Sequence, residues 1–130
     1  MYQSELNTIV IDCPRESYAE AVTFWSGLLG LPAESPNSQD PRYTSLKGTL
    51  QNVAVLVQAV DGLPEIHIDI CTDNKDAEIK RALQLGAREK YTVKRWMVLQ
   101  APSGHAFCIV PSKSAAEFSS AAKIWDEQAE

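Results

Sequence analysis

Residues 65–87 place a strand directly before a helix, and this order constrains the fold of the chain more than any other feature. Isoleucines alternate with more polar residues at its start, which is the period of a half-buried β-strand. Apolar residues then recur at helical spacing as far as Gly86, and glycine commonly ends helices. The segment therefore predicts a strand over 65–72 and a helix over 74–85, with His67 on the less apolar face of the strand.

The first half of the chain repeats this order of elements. A strand over 8–13 precedes an amphipathic helix over 15–30, and both halves continue with short strands. These further strands are predicted at 43–46, 52–60, 88–93, 96–100 and 106–110. Internal similarity at about half the chain length indicates two modules in a pseudo-twofold arrangement. Each helix covers only one face of its sheet, so two such sheets side by side would leave a concave surface suited to a ligand.

The predicted fold is therefore α+β, with one βαβββ module at about 7–60 and a second at 65–111. The 130 residues are enough for a single domain with its own hydrophobic core, and we place this domain over residues 1–111. Residues 112–130 contain few large apolar side chains, and we expect them to form a helical tail.

Composition argues against several classes of partner. The net charge is -5 and no basic stripe offsets it, so neither nucleic acid nor a membrane is expected as a partner. The longest apolar runs are too short to cross a bilayer, and the first residues lack the features of a signal peptide. Three cysteines lie far apart without a CxxC motif, which indicates free thiols and a cytoplasmic location.

Three segments, taken in order, resemble the vicinal oxygen chelate superfamily: DCPRESYAEAVTFWSGLLGLP, IHIDICTDNKDAEIKRALQLGA and WMVLQAPSGHAFCIV. This superfamily includes glyoxalase I, extradiol dioxygenases and bleomycin-resistance proteins. The chain is most similar to the glyoxalase-like domains of small bacterial proteins. The resemblance implies two βαβββ modules that form a U-shaped, mostly antiparallel sheet around a central cleft, commonly in homodimers. This is the glyoxalase/bleomycin resistance/dioxygenase fold.

The resemblance also implies where a metal ion would bind. Metal-dependent members typically use two histidines and two glutamates from four strands, and the matching positions here hold Thr8, Gln58, His67 and Cys108. Only His67 is a typical ligand, because Thr8 is a poor one and Gln58 offers a neutral carbonyl. We therefore expect no metal site and no cofactor. Glyoxalase I activity is disfavoured by the same substitutions, since they remove both carboxylates.

His67 has three possible roles in this framework. It is a hydrogen-bonding group for a ligand, an acid–base catalyst, or a structural histidine that its neighbours satisfy. Asp69 follows two residues later on the same strand face and could orient His67. Cys108 is more typical of a small buried side chain than of a nucleophile. Trp96 offers a flat wall to a ligand, or belongs to the core or to a dimer contact.

Three functions remain open at this point. The first is metal-independent binding of a small organic molecule in the cleft, in the manner of antibiotic-sequestering members of the family. The second is an enzyme of lyase, isomerase or dehydratase type that uses His67 with Asp69 or Cys108, or a metal-dependent enzyme with a degenerate ligand set. The third is an assembly or regulatory module with a vestigial cleft. We favour the first, in a homodimer, with a cleft lined by Thr8, Val10, Leu56, Gln58, His67, Trp96 and Cys108.

Overall fold

The computed structural model describes residues 1–34, 41–50, 53–111, 118–120 and 122–126 of the chain. It divides into two compact units. We call residues 8–67 the first module, and residues 1–7 together with 68–130 the second module. The secondary-structure elements are β1 (Tyr2–Pro14), α1 (Tyr18–Leu29), β2 (Tyr43–Leu50), β3 (Val53–Val60), β4 (Glu65–Thr72), α2 (Lys75–Gln84), β5 (Arg88–Val93), β6 (Trp96–Gln100), β7 (Ala106–Pro111) and β8 (Lys123–Trp125).

The first module packs α1 against one face of three strands. β1 runs parallel to β3, and β3 is antiparallel to β2. The buried side chains of Ile11 and Val57 lie on the face that α1 covers, because strand residues alternate between the two faces. Gly30 ends α1 in the left-handed conformation, at φ 70°, which glycine adopts without steric cost. Among the described residues, Ala33 adds one antiparallel bridge to Leu46.

The second module shows the complete βαβββ order. β4 runs parallel to β7, and antiparallel pairs join β7 to β6 and β6 to β5. The side chain of Asn74 caps α2 by accepting the backbone N–H of Ala77 at 3.1 Å. Ile79 of α2 packs with Leu99 and Ile109, which are almost fully buried. The predicted α+β class is confirmed, and β4, β5 and β6 have the predicted bounds.

The two ends of the described chain differ from the sequence prediction. β1 begins at Tyr2, six residues earlier than expected, and its first residues pair antiparallel with β8. The expected helical tail is therefore wrong for Lys123–Trp125, because backbone groups at the edge of β1 hold this segment as a strand. The rest of that prediction, at 112–117, 121 and 127–130, lies outside the described residues. The domain limit at residue 111 stays a prediction.

Within the described ranges, the structure contains no helix with the length and apolar character needed to cross a membrane.

Candidate functional site

A histidine and a carboxylate from two strands meet in the first module. The imidazole Nδ1 of His67, on β4, lies 2.6 Å from the carboxylate Oδ2 of Asp12, on β1. The two side chains are 18% and 10% exposed, so the contact is largely shielded from water. An ionised carboxylate accepts hydrogen bonds but cannot donate them. The proton between these two atoms is therefore carried by the histidine. The contact therefore fixes both the orientation and the tautomer of the imidazole.

The alternation of β1 explains why Asp12 occupies this position. Ile11 and Cys13 point toward α1 and belong to the apolar cluster beneath it. Asp12 lies between them in sequence, so its carboxylate is directed to the opposite face of the strand. The polar pair thus lies on the strand face that α1 leaves uncovered.

One oxygen of the Asp12 carboxylate is left unsatisfied. Oδ1 is buried and has no hydrogen-bond partner among the described residues. A buried polar atom without a partner costs about 1–3 kcal/mol of folding free energy. Unsatisfied buried groups of this kind are uncommon in native structures and need a specific explanation. A functional role for the Asp12–His67 pair is one such explanation.

The cleft residues expected in the first module share the face of Asp12. Val10 lies beside Leu56 in the parallel register of β1 and β3, and Asp12 lies beside Gln58. Thr8 is buried two positions before Val10. The amide Nε2 of Gln58 donates to the hydroxyl of Tyr43 at 3.3 Å. These positions combine apolar side chains with a few polar groups, the usual composition of a small-molecule site.

The other expected site residues belong to the second module. Asp69 and Cys108 are register neighbours on β4 and β7. Both lie on the face opposite Phe107, which packs toward α2. Trp96 opens β6, and the ammonium group of Lys94 lies 5.8 Å from the centre of its ring. The expectation that Asp69 orients His67 stays a prediction, whereas the contact from Asp12 is seen directly.

The donor set at the four family positions does not fit a divalent metal ion. Thr8 supplies a hydroxyl, Gln58 an amide, His67 an imidazole and Cys108 a buried thiol. The Gln58 amide donates to Tyr43 through Nε2, and Nδ1 of His67 contacts Asp12, so Oε1 of Gln58 and Nε2 of His67 would be the donor atoms at these two positions. The four positions contain no carboxylate to neutralise an ion, and a catalytic zinc site usually has three strong protein ligands.

The cysteines are free and buried at all three positions. Burial, and to a lesser extent the carboxylate of Asp12, raises the pKa of the Cys13 thiol. Burial also raises the pKa of Cys71, to about 11. Because the thiolate is the reactive form, these raised pKa values favour packing roles for both residues.

Sequence reasoning did not single out Asp12 as a site residue. The signal was present, because a carboxylate in the apolar run TIVIDC shares the strand face of Thr8 and Val10. What the sequence lacked was the pairing with His67, which lies 55 residues away along the chain.

A separate cavity of about 400 Å³ lies within the second module. It is lined by α2, β7, β8, the first residues of β1 and the turn after β6, and it includes neither Asp12 nor His67. Phe107 and Ile109 line it, so the cavity is on the α2 side of β7, opposite Cys108. No sequence motif indicated this cavity.

A buried polar network forms one side of this cavity. Both carboxylate oxygens of Glu78 accept from the guanidinium of Arg81 at 2.9 Å, and Oε1 also accepts from the hydroxyl of Tyr2 at 2.8 Å. The guanidinium carbon lies 3.8 Å from the centre of the Trp125 ring, which is a cation–π contact. The indole N–H of Trp125 donates to the hydroxyl of Ser4 at 3.0 Å. Burial, together with the neighbouring Glu78, raises the pKa of Tyr2 to about 12.

Comparison with known proteins agrees with this architecture. The model of the glyoxalase-like domain family matches residues 8–110, most of the chain. The protein therefore belongs to the glyoxalase-like domain family. No curated protein matches the chain significantly.

Three similar solved structures illustrate the fold. A hypothetical protein from Bacillus halodurans is 14% identical, with a TM-score of 0.61 over 88% of this chain and 99% of that one. A glyoxalase/bleomycin resistance protein/dioxygenase superfamily member from Vibrio splendidus is 15% identical, with a TM-score of 0.52 over 82% and 98%. A protein from Legionella pneumophila described as an NAD-dependent benzaldehyde dehydrogenase is 12% identical, with a TM-score of 0.57 over 82% and 99%. At these identities the structures show a shared fold and not a shared activity.

The raised pKa of Tyr2 predicts a loss of stability at alkaline pH. In the unfolded chain the phenol ionises near pH 10, whereas in the folded protein it holds its proton to about pH 12. The stabilisation is therefore fully present below pH 10 and is lost as the pH rises through this window. We expect the stability advantage of the wild type over Tyr2→Phe, measured by urea unfolding, to fall above pH 10.

The matched control is Tyr91→Phe, because the Tyr91 side chain is 57% exposed. We expect this variant to follow the wild type across the pH series. Parallel curves for the wild type and Tyr2→Phe from pH 8 to pH 12 would show that the buried network does not hold the Tyr2 proton.

Proposed function

We propose that this glyoxalase-like domain binds a small organic molecule, without a metal ion, on the strand face that carries Asp12 and His67. The contact between Nδ1 of His67 and Oδ2 of Asp12 is the observation that carries the proposal. A side chain already held in one orientation loses little conformational entropy when a ligand binds to it. The pair therefore has the preorganisation that a recognition site requires.

The surroundings of the pair support binding of a partly apolar molecule. Val10 and Leu56 lie side by side on the same face and give it an apolar character. Thr8 and Gln58 add a hydroxyl and an amide, which can both donate and accept hydrogen bonds. Trp96 and Cys108 remain proposed members of the ligand site, as the sequence analysis has them. A ligand with one hydrogen-bonding group for His67 and an apolar body fits this composition.

The chemistry of the donors supports a metal-independent site. Metal-dependent members of the family rely on carboxylates that are replaced here by Gln58 and Cys108. A histidine and a buried thiol, with a hydroxyl and an amide, give two strong ligands where a catalytic zinc site usually has three. We therefore assign ligand recognition to the side chains themselves and propose no cofactor.

The direct test is a ligand-observed NMR screen of small metabolites and antibiotics in the presence of a chelator. We expect at least one compound to bind with a dissociation constant below about 1 mM. His67→Ala should weaken that binding about tenfold or more, the effect of losing one good hydrogen bond. His105→Ala is the matched control, because His105 is exposed in a turn and its side chain hydrogen-bonds only Ser103 among the described contacts.

Two outcomes of this screen would overturn the proposal. Equal binding by the wild type and His67→Ala would place the ligand elsewhere. Binding that the chelator abolishes and zinc, nickel, iron or manganese restores would show that a metal is needed after all. A screen without any hit would favour the third possibility, an assembly or regulatory module.

The same geometry favours an enzyme as the second candidate. A carboxylate that holds Nδ1 of an imidazole is the usual arrangement for a histidine that transfers protons at Nε2. The reaction would be of lyase, isomerase or dehydratase type, with Asp12 in addition to the proposed Asp69 or Cys108 as partner of His67. If a hit from the screen is also turned over, the enzyme is the better description.

The protein is further proposed to act as a homodimer in the cytoplasm. Phe24 and Leu28 lie one turn apart on α1 and are 57% and 64% exposed, which is typical of an interaction surface. Three free, buried cysteines support a reducing compartment such as the cytoplasm. Cell fractionation tests the proposed cytoplasmic location.

Light scattering tests the dimer directly. We expect a dimer mass for the wild type at tens of micromolar and a monomer mass for Leu28→Glu, because a buried charge opposes association. Leu63→Glu is the matched control at a position that is also highly exposed. A monomeric wild type, or a Leu28→Glu variant that stays dimeric, would contradict this assignment of the interface.

A further inference from the structure

The cavity of the second module has an apolar lining that no described side chain fills. Phe107 and Ile109 of β7 contribute to it from the sheet, Ala82 contributes from α2, and Leu85 contributes from the residue that follows α2. The short side chain of Ala82 leaves space that a larger residue would occupy. A volume of about 400 Å³ is in the range of small-molecule sites.

The charged groups around the cavity are mostly compensated. Glu78 is satisfied by Arg81 and Tyr2. Glu5 accepts the backbone N–H of Ser119 at 3.0 Å and also the hydroxyl of Ser119. These contacts hold both carboxylates in place, and Glu78 is also neutralised by the guanidinium of Arg81.

Lys123 is the charged residue of this lining that has no partner among the described residues. It lies opposite Ser4 in the β1–β8 pair, as Trp125 lies opposite Tyr2. Lys123 and Trp125 are two residues apart on one strand, so their side chains lie on the same face. This face is directed to α2, because Trp125 contacts Arg81 of that helix. The ammonium group is therefore placed at the side of an apolar cavity without an ion-pair contact among the described residues.

We propose that this cavity is a second binding site, which takes a small, largely apolar carboxylate. The carboxylate pairs with the ammonium group of Lys123, and the hydrocarbon part lies against α2 and β7. A carboxylate gives Lys123 the ion-pair partner that it lacks among the described residues, whereas a neutral molecule leaves it without one and a cation is repelled by it. The ring of Trp125, on which Arg81 stacks, gives the ligand a flat wall.

The test compares two probes of the same shape, 4-phenylbutanoate and 4-phenylbutan-1-ol, by titration calorimetry on the full chain. We expect the carboxylate to bind about tenfold more tightly than the alcohol at low salt, the effect of one charge-assisted hydrogen bond. High salt should reduce this preference, because the ammonium group is near the surface. Lys123→Gln should bring the two affinities together without weakening the alcohol.

Matched variants separate this site from the one proposed at His67. Lys90→Gln removes an exposed lysine outside the cavity and should keep the preference for the carboxylate. His67→Ala should leave both affinities unchanged, because the cavity lining does not include it. Ala82→Phe fills the cavity and should abolish both. Lys123 is exposed, so its substitution leaves the fold intact even if Ala82→Phe does not fold.

Three results would overturn the proposal. The first is no detectable binding of either probe, and the second is equal affinity of the wild type for the carboxylate and the alcohol. The third is a preference that survives Lys123→Gln or disappears in His67→Ala. Each of these leaves the proposed function at His67 unaffected, since that proposal is tested with other ligands and other variants.

Discussion

The alternation of side chains along the strands is the constraint on which the rest of the structure depends. A strand directs successive residues to opposite faces, and each module has one helix to cover one face. In the first module this places Ile11 under α1 and leaves Asp12 on the other side. In the second it places Phe107 toward α2 and Cys108 away from it. The apolar face of each sheet forms the hydrophobic core. The polar and reactive residues, such as Asp12 and Cys108, lie on the face that the helix of the module does not cover.

The second module also uses its helix-covered face. Here the first residues of β1 and the short strand β8 extend the surface that α2 covers. Glu78 and Arg81 on α2 meet Tyr2 and Trp125 from this extension through a hydrogen-bonded and stacked network. The network holds β8 by side-chain contacts as well as by backbone pairing, and the cavity lies beside it. The two proposed sites therefore have different physical origins.

Local sequence patterns predicted much of the fold. β4, β5 and β6 were found at the expected residues because their alternation, or their flanking glycines and turns, is visible within a few positions. The strand at Lys123–Trp125 was missed because three residues carry little periodicity and the segment is held by pairing with a distant strand. The same reason explains Asp12, whose partner His67 is far along the chain. The cavity depends on packing between elements, which no single segment reveals.

The carboxylate of Asp12 holds the imidazole of His67 with its proton on Nδ1. Long-range proton–nitrogen NMR correlations of the histidine rings test this most directly, and His105→Ala assigns the signals because the chain has two histidines. We predict that Nδ1 of His67 carries a proton throughout a pH titration of the wild type, and that Asp12→Asn shifts neutral His67 toward the Nε2–H tautomer. A wild-type His67 with its neutral form protonated at Nε2, unchanged by Asp12→Asn, would contradict the claim.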